Sequence, residues 1–429
     1  MRRPQALLVV VAAAALPRLV VLAWEQGRIL EAFVEKSDRF AQTLVSSGTF
    51  GLLPGVPSAY TQPLYAWFLA ALYWPLDRTW LVVGVAQIIM ATGTAVLVLE
   101  IGRRLDTLLT GVIAALIATL HPYLVWHDVH VNREILDGFL LALITLLALI
   151  ARERRSLPWC AALGGATGVA ILGNSRLALL PIVLTVYAAW PLFTDRRAVA
   201  IALVVVTAAA AAVAPWAVRN KVQVGCFAIT TDARALWKAN NANTYDVLAA
   251  GQWIDDVPEL PGVPPWPTKA AEIELATGKR VHVDECAQAS FYERKVVDFW
   301  RQHPGDKARL AAQATWMLWQ PTFTVATDDA GRKGLADTLR RSAEPVFMVT
   351  LYVLALAGLF LAPRRFVALV ISFEAYNTLM AMLFAGTVRY RVPWDFLLAL
   401  LAAFPLARAW ERVDRRRAYV DPARTSADS

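Results

Sequence analysis

Charged residues are scarce in this chain. They make up 18% of its 429 residues, against 57% hydrophobic ones, and the mean hydropathy is +0.46. A soluble protein of this length carries roughly a quarter charged residues, so a soluble globular fold is excluded. Cysteine is rarer still: three residues allow one disulfide at most. There is no continuous basic face. The net charge is +8, but the basic residues sit in short clusters between apolar runs. That pattern excludes nucleic-acid binding and reads as a set of topology signals. No internal repeat is visible, which argues against a transporter built from related halves.

What the chain has is apolar runs, most of them about 17 to 23 residues long, enough for helices crossing a ~30 Å hydrocarbon layer. The expected fold is an all-α polytopic membrane protein. The start, "MRRPQALLVVVAAAALPRLVVLAW", has the basic head and apolar core of a signal peptide. Further spans follow and Arg18 interrupts the region of cleavage, so it reads as an uncleaved first span. Ten spans are expected, near 5–24, 79–101, 107–122, 135–151, 158–173, 177–193, 198–217, 345–362, 366–386 and 393–411. The dense basic clusters "GRRL", "RERR", "DRR", "RR" and "ERVDRRR" then all fall on one side. This places both termini in the cytoplasm and the protein in the cytoplasmic membrane.

Four regions follow: a seven-span module over 1–217 with a first outer loop at 25–78, an extracytoplasmic region at 218–343, three spans within 344–411, and a cytoplasmic tail at 412–429. In the first loop, "TQPLYAWFLAALYWPL" is apolar but short and carries Pro63 and Pro75, so it reads as a helix lying at the interface. The larger loop holds "LPGVPPWPTK" and an amphipathic "ASFYERKVVDFWRQHP".

Three groups of outward residues can carry chemistry. In "SDRFAQTLVSSGTFG", Asp38 is either a general base or the N-cap of a helix over 39–46. In "HPYLVWHDVHVNREILDG", His127, Asp128, His130, Arg133 and Glu134 crowd one short stretch. Asp128 and His130 could ligate a divalent metal together with Asp38, or the loop could simply contact headgroups. Arg176, Arg219, Arg389 and Arg391 lie at outer ends of spans, and Arg18 lies inside the first. Arginines so placed suit a shared anionic ligand, with snorkelling to headgroups as the plain alternative.

Read in order, several blocks resemble the GT-C membrane glycosyltransferases, in the clan of protein O-mannosyltransferases and lipid A aminoarabinose transferases. These are "SDRFAQTLVSSGTFG", "PSAYTQPLYAWFLAALYWPL", "LEIGRRL", "HPYLVWHDVHVNREIL", "GNSRLALLP", "APWAVRNKVQVGCFAITTDARALWKANN" and "VRYRVPWDFLLALLAAF". The resemblance implies a GT-C helical bundle with juxtamembrane helices in its first outer loop. It implies an inverting transferase that moves a sugar from a polyprenyl-phosphate donor to a hydroxyl acceptor at the outer face, with Asp38 as base. The chain departs from the family pattern at three places. It has Asp38–Arg39 where a two-residue acidic motif is common, Phe40 where tyrosine is common, and Gln62 before Pro63 in place of a lysine. Phosphate binding would then rest on the arginines. An oligosaccharide polymerase or O-antigen ligase is the alternative enzyme, and a lipid or sugar flippase the alternative outside enzymology. Finally, Cys226 and Cys286 share the outer loop, where oxidising conditions let a disulfide persist, while Cys160 is expected as a buried thiol.

Overall fold

The computed structural model describes residues 2–32, 34–190, 196–322 and 334–420. The end of the expected span 177–193, part of the region 218–343 and the last residues of the tail therefore lie outside the described residues. In chain order the helices are α1 (Arg3–Glu25), α2 (Lys36–Ser47), α3 (Pro63–Leu76), α4 (Trp80–Leu105), α5 (Leu108–Thr119), α6 (Pro122–His127), α7 (Glu134–Arg154), α8 (Leu157–Gly173), α9 (Leu180–Ala189) and α10 (Arg196–Gln223). The outer region adds α11 (Ala233–Lys238), α12 (Thr244–Ala249), α13 (Pro267–Thr277), α14 (Glu285–Gln302) and α15 (Pro304–Trp319). The chain ends with α16 (Leu335–Leu361), α17 (Arg364–Leu383), α18 (Val388–Arg391) and α19 (Asp395–Val420). No strand forms among the described residues.

The ten expected spans all coincide with helical segments, but not all are long. Seven are long and apolar enough to cross a membrane. Leu108–Thr119, Leu157–Gly173 and Ser175–Ala189 are shorter apolar helices. At 1.5 Å per residue, a helix of about 12 residues reaches only about 18 Å, so among the described residues seven of the ten expected spans are long enough to cross and three are shorter. Local signals set the starts. The Thr79 hydroxyl accepts from the Val82 amide (3.3 Å) and the Thr107 hydroxyl from the Thr110 amide (3.2 Å), capping α4 and α5. Pro63 opens α3, where its missing N–H costs nothing.

Helices α7 and α19 lie innermost, and α1, α10 and α16 turn much of their surface outward. Side chains alone do not drive helices together in lipid, so close backbone approach matters. Gly164 and Gly168, one turn apart on α8, allow it: a Cβ there would lie 2.3 Å from the Val205 carbonyl oxygen and 2.5 Å from that of Ala209 on α10. The outer region sits at one end of the bundle. Cys226 and Cys286 form a disulfide there, Cα atoms 5.9 Å apart, and Cys160 is a buried free thiol.

Candidate functional site

A cavity of about 1210 Å³ opens between residues 35–37 and 60–62, the residue before α7, α18 and residues 227–300. Its inner wall carries Glu35, Arg133, Asn174, Arg176, Arg389 and Tyr390. Glu35 is the N-cap of α2, in extended conformation, so it leaves the helical face and turns to the cavity. Burial raises its carboxyl above the ordinary glutamate range, and the Arg389 charge opposes that shift. Arg389 donates to Glu35 and, at 3.1 Å, to the second oxygen of Glu134. Arg133, just before α7, donates to the Gln62 side chain at 3.0 Å. Thus Arg133 reaches the position where the resembling family has a lysine. Burial works against the Arg133 charge, but Glu35, Asp137 and Glu134 more than offset it and raise its pKa.

Arg176 stacks over the Tyr390 ring, 4.0 Å from its centroid. Its Nε and Nη1 have no hydrogen-bond partner, nor does Arg133 Nε, nor Asp137 Oδ1. Buried polar atoms left unpaired cost about 1–3 kcal/mol each, and three of these four belong to arginines of the cavity wall. The guanidinium groups of Arg133, Arg176 and Arg389 suit a phosphate, and Glu35 beside them suits a proton transfer.

The expected residues divide. Arg133, Arg176 and Arg389 come together at this wall, with Glu134 bonded to Arg389. Asp38 does not. It is 3% exposed and points back toward α3. Its carboxylate accepts from the Tyr73 hydroxyl (2.6 Å), the Gln42 amide (2.7 Å) and Arg78 (2.9 Å). Three donors occupy it, and it does not line the cavity. Burial first, and then the neighbouring Asp38 charge, push the Tyr73 phenol well above its usual range, so it stays a donor.

Three arginines are also structural. Arg18, 1% exposed, is ion-paired with Asp128 at 2.6 Å and donates to the Ala14 carbonyl and Thr119. Arg391 pairs with Asp395 (3.1 Å) and donates to the Leu318 and Gln320 carbonyls. Arg219 donates to the carbonyls of Ser58 and Phe50, both at 2.9 Å, latching the first loop to α10.

The metal set Asp38, Asp128 and His130 is not assembled. Asp38 is held by Arg78, Asp128 by Arg18, and His130 Nδ1 lies 2.9 Å from the Trp126 carbonyl. Among the described residues no group of three or more such side chains could hold a metal ion. His127 stacks on Tyr123 with ring centroids 3.8 Å apart.

The sequence reading missed Glu35, Asn174 and Tyr390. For Glu35 a signal existed: it stands just before the first residue of the amphipathic stretch, where an N-cap falls. No signal marked Tyr390 apart from its arginine neighbours.

Comparison with known proteins adds to this geometry. Residues 57–218 match the dolichyl-phosphate-mannose-protein mannosyltransferase family. No curated protein matches the chain. Among solved structures, it is similar to the oligosaccharyltransferase AglB from Archaeoglobus fulgidus in complex with an inhibitory peptide and a dolichol-phosphate. That likeness has 13% identity and a TM-score of 0.54, covering 97% of this chain and 52% of the other. The chain thus spans about half the length of that enzyme. ArnT from Cupriavidus metallidurans bound to undecaprenyl phosphate shows 15% identity and a TM-score of 0.41, covering 95% of this chain and 79% of the other. The match over 57–218 and the likeness of fold both fall on GT-C membrane enzymes, which is what the chain resembles.

Proposed function

We propose that this protein is an inverting glycosyltransferase. It moves a sugar from a polyprenyl-phosphate donor to a hydroxyl acceptor at the outer face of the cytoplasmic membrane. The observation that carries the reading is one cavity wall joining Glu35 to Arg133, Arg176 and Arg389. In this proposal Glu35, not Asp38, takes the acceptor proton as its oxygen attacks the anomeric carbon. The polyprenyl phosphate leaves as an anion, so no strong general acid is required. The arginines neutralise the charge that grows on it. Attack opposite the leaving phosphate inverts the anomeric centre.

The cavity then faces outward, both termini are cytoplasmic, and residues 1–217 form the catalytic module with 344–411 completing the bundle. The tail 412–429 lies in the cytoplasm. The disulfide at the cavity end of the molecule supports that orientation, since such bonds persist in oxidising compartments. No divalent metal is assigned a role.

The test uses the purified full-length protein in detergent. Radiolabelled undecaprenyl phosphate should bind, and Arg176→Ala and Arg389→Ala should each weaken it, while polyprenyl-phosphate sugars should be turned over. Equal lipid-phosphate affinity in both variants would overturn the donor site. Selective turnover of a polyprenyl-diphosphate oligosaccharide would favour the polymerase or ligase reading instead.

A further inference from the structure

The outer half of the same cavity is built from different chemistry. Three tryptophans from three separate segments line it: Trp253, Trp266 and Trp300. All three are partly exposed. Each is held in place by its own contacts. The Arg234 guanidinium lies 3.6 Å from the Trp266 ring centroid. The Trp300 indole donates to the Asn240 side chain at 2.8 Å. The Trp253 ring meets Tyr390 with centroids 6.1 Å apart, and Tyr390 in turn lies under Arg176. Trp253 therefore joins the tryptophan wall to the inner arginines without a break.

The cations of this half are spoken for. Lys36 pairs with Asp232, while Arg234 and Lys238 both pair with Glu259, the latter at 2.6 Å. No second phosphate site is left here, in contrast to the inner wall with its unpaired guanidinium atoms. Fixed planar apolar faces beside carboxylates and cations match one ligand chemistry well. A sugar ring offers an apolar C–H face to an indole and hydroxyls at its edge to charged groups. The volume of about 1210 Å³ also exceeds the ~300–1,000 Å³ usual for one small ligand, which leaves room for donor sugar and acceptor together.

We infer that the acceptor is an uncharged oligosaccharide end, stacked along Trp253, Trp266 and Trp300. This inference rests on the transferase reading above, and its test separates the two.

Full-length protein in detergent is applied to an array of pentose and hexose oligosaccharides and to an array of serine- and threonine-containing peptides. Undecaprenyl phosphate binding is measured in parallel. The expected result is retention on a subset of neutral glycans. Trp266→Ala and Trp300→Ala each weaken it about ten-fold, the loss of one stacking contact. Lipid-phosphate binding stays within about two-fold, which shows that both variants fold. Trp316→Ala, whose side chain is exposed on α15 away from the cavity wall, changes neither. Lipid-phosphate binding without glycan retention overturns the inference, as does peptide retention insensitive to the tryptophans. Loss of both ligands in the unmodified protein counts against the transferase reading itself.

Discussion

Two sets of arginines stand near the outer ends of these helices, and they differ in what surrounds them. Arg18 is paired with Asp128 and Arg391 with Asp395, each with backbone carbonyls as further acceptors, and the one unpaired atom, Arg391 Nη2, lies away from the large cavity. Arg133 and Arg176 face an open cavity with donor atoms unspent. In sequence both sets look alike: a charge where hydrocarbon should be. The difference teaches that intramembrane charge marks a constrained position, while unmet hydrogen-bonding capacity beside a cavity marks a receiving one. The two carboxylates of the first loop repeat the lesson. Asp38 is saturated with donors, and Glu35 stands at the wall.

The sharpest way to break the comparison is through those two acids. Glu35→Gln should keep the fold and lower transfer by roughly 10²–10⁴-fold, the usual contribution of a positioned base. Its pH–rate profile should also lose the ascending limb, which in the unmodified enzyme lies above the ordinary glutamate value of about 4.3, because burial raises the Glu35 carboxyl. Asp38→Asn should act mainly on the thermal midpoint. Undiminished turnover in Glu35→Gln, with Asp38→Asn dead but fully folded, would reverse the assignment.

The next effect tests the sealed set. Arg18→Ala leaves a buried aspartate alone and should cost about 3–5 kcal/mol of stability, while Arg18→Met with Asp128→Leu should recover most of it. Arg176→Ala, which strands no carboxylate, should instead spare the midpoint and weaken undecaprenyl phosphate binding. Equal behaviour of Arg18→Ala and Arg176→Ala in both assays would dissolve the distinction.

A smaller effect concerns the outer region. Cys226→Ser opens a bridge between cysteines 60 positions apart and should lower stability by about 2–4 kcal/mol. Two thiols that alkylate freely in the native, unreduced protein would contradict the bond.

Smallest is a pH effect at Lys307. Its amine donates to Asn240 and to the Met382 carbonyl, and burial pushes its pKa down to about 8. The unfolded chain keeps this proton to about pH 10.4. Between about pH 8 and 10 the unfolded state therefore binds more protons, and stability rises with pH. The rise should vanish in Lys307→Met; a midpoint curve of unchanged shape would show that the amine does not titrate there.

Much of the fold was legible because hydrocarbon imposes a blunt rule. Long apolar runs must be helices, and all ten runs are. Their true lengths were less legible: α5 packs on α4 and α9 on α10, and the apolar runs alone did not show where either helix begins or ends. The interface helix α3 was readable from Pro63 and its brevity. The site was only half readable, for a geometric reason. Arg389 and Arg391 are two residues apart, so on a helix they point some 200° from each other. One reaches the cavity and the other enters the bundle. Sequence gave their depth but not their azimuth. Glu35 escaped because an N-cap leaves the helical face, so the spacing to Asp38 does not place the two together.

The latches on the first loop bear on the timing of synthesis. Arg219 bonds the Ser58 carbonyl across 161 positions, and Glu285 accepts from the Ala59 amide across 226. At ~5–20 residues per second, the ribosome delivers Glu285 roughly ten to forty-five seconds after Ala59. Throughout that interval the loop bearing Glu35 has left the ribosome without those anchors. The cavity wall is completed later still, when Arg389 arrives to pair with Glu35 across 354 positions, so a chain truncated before α18 would lack that wall.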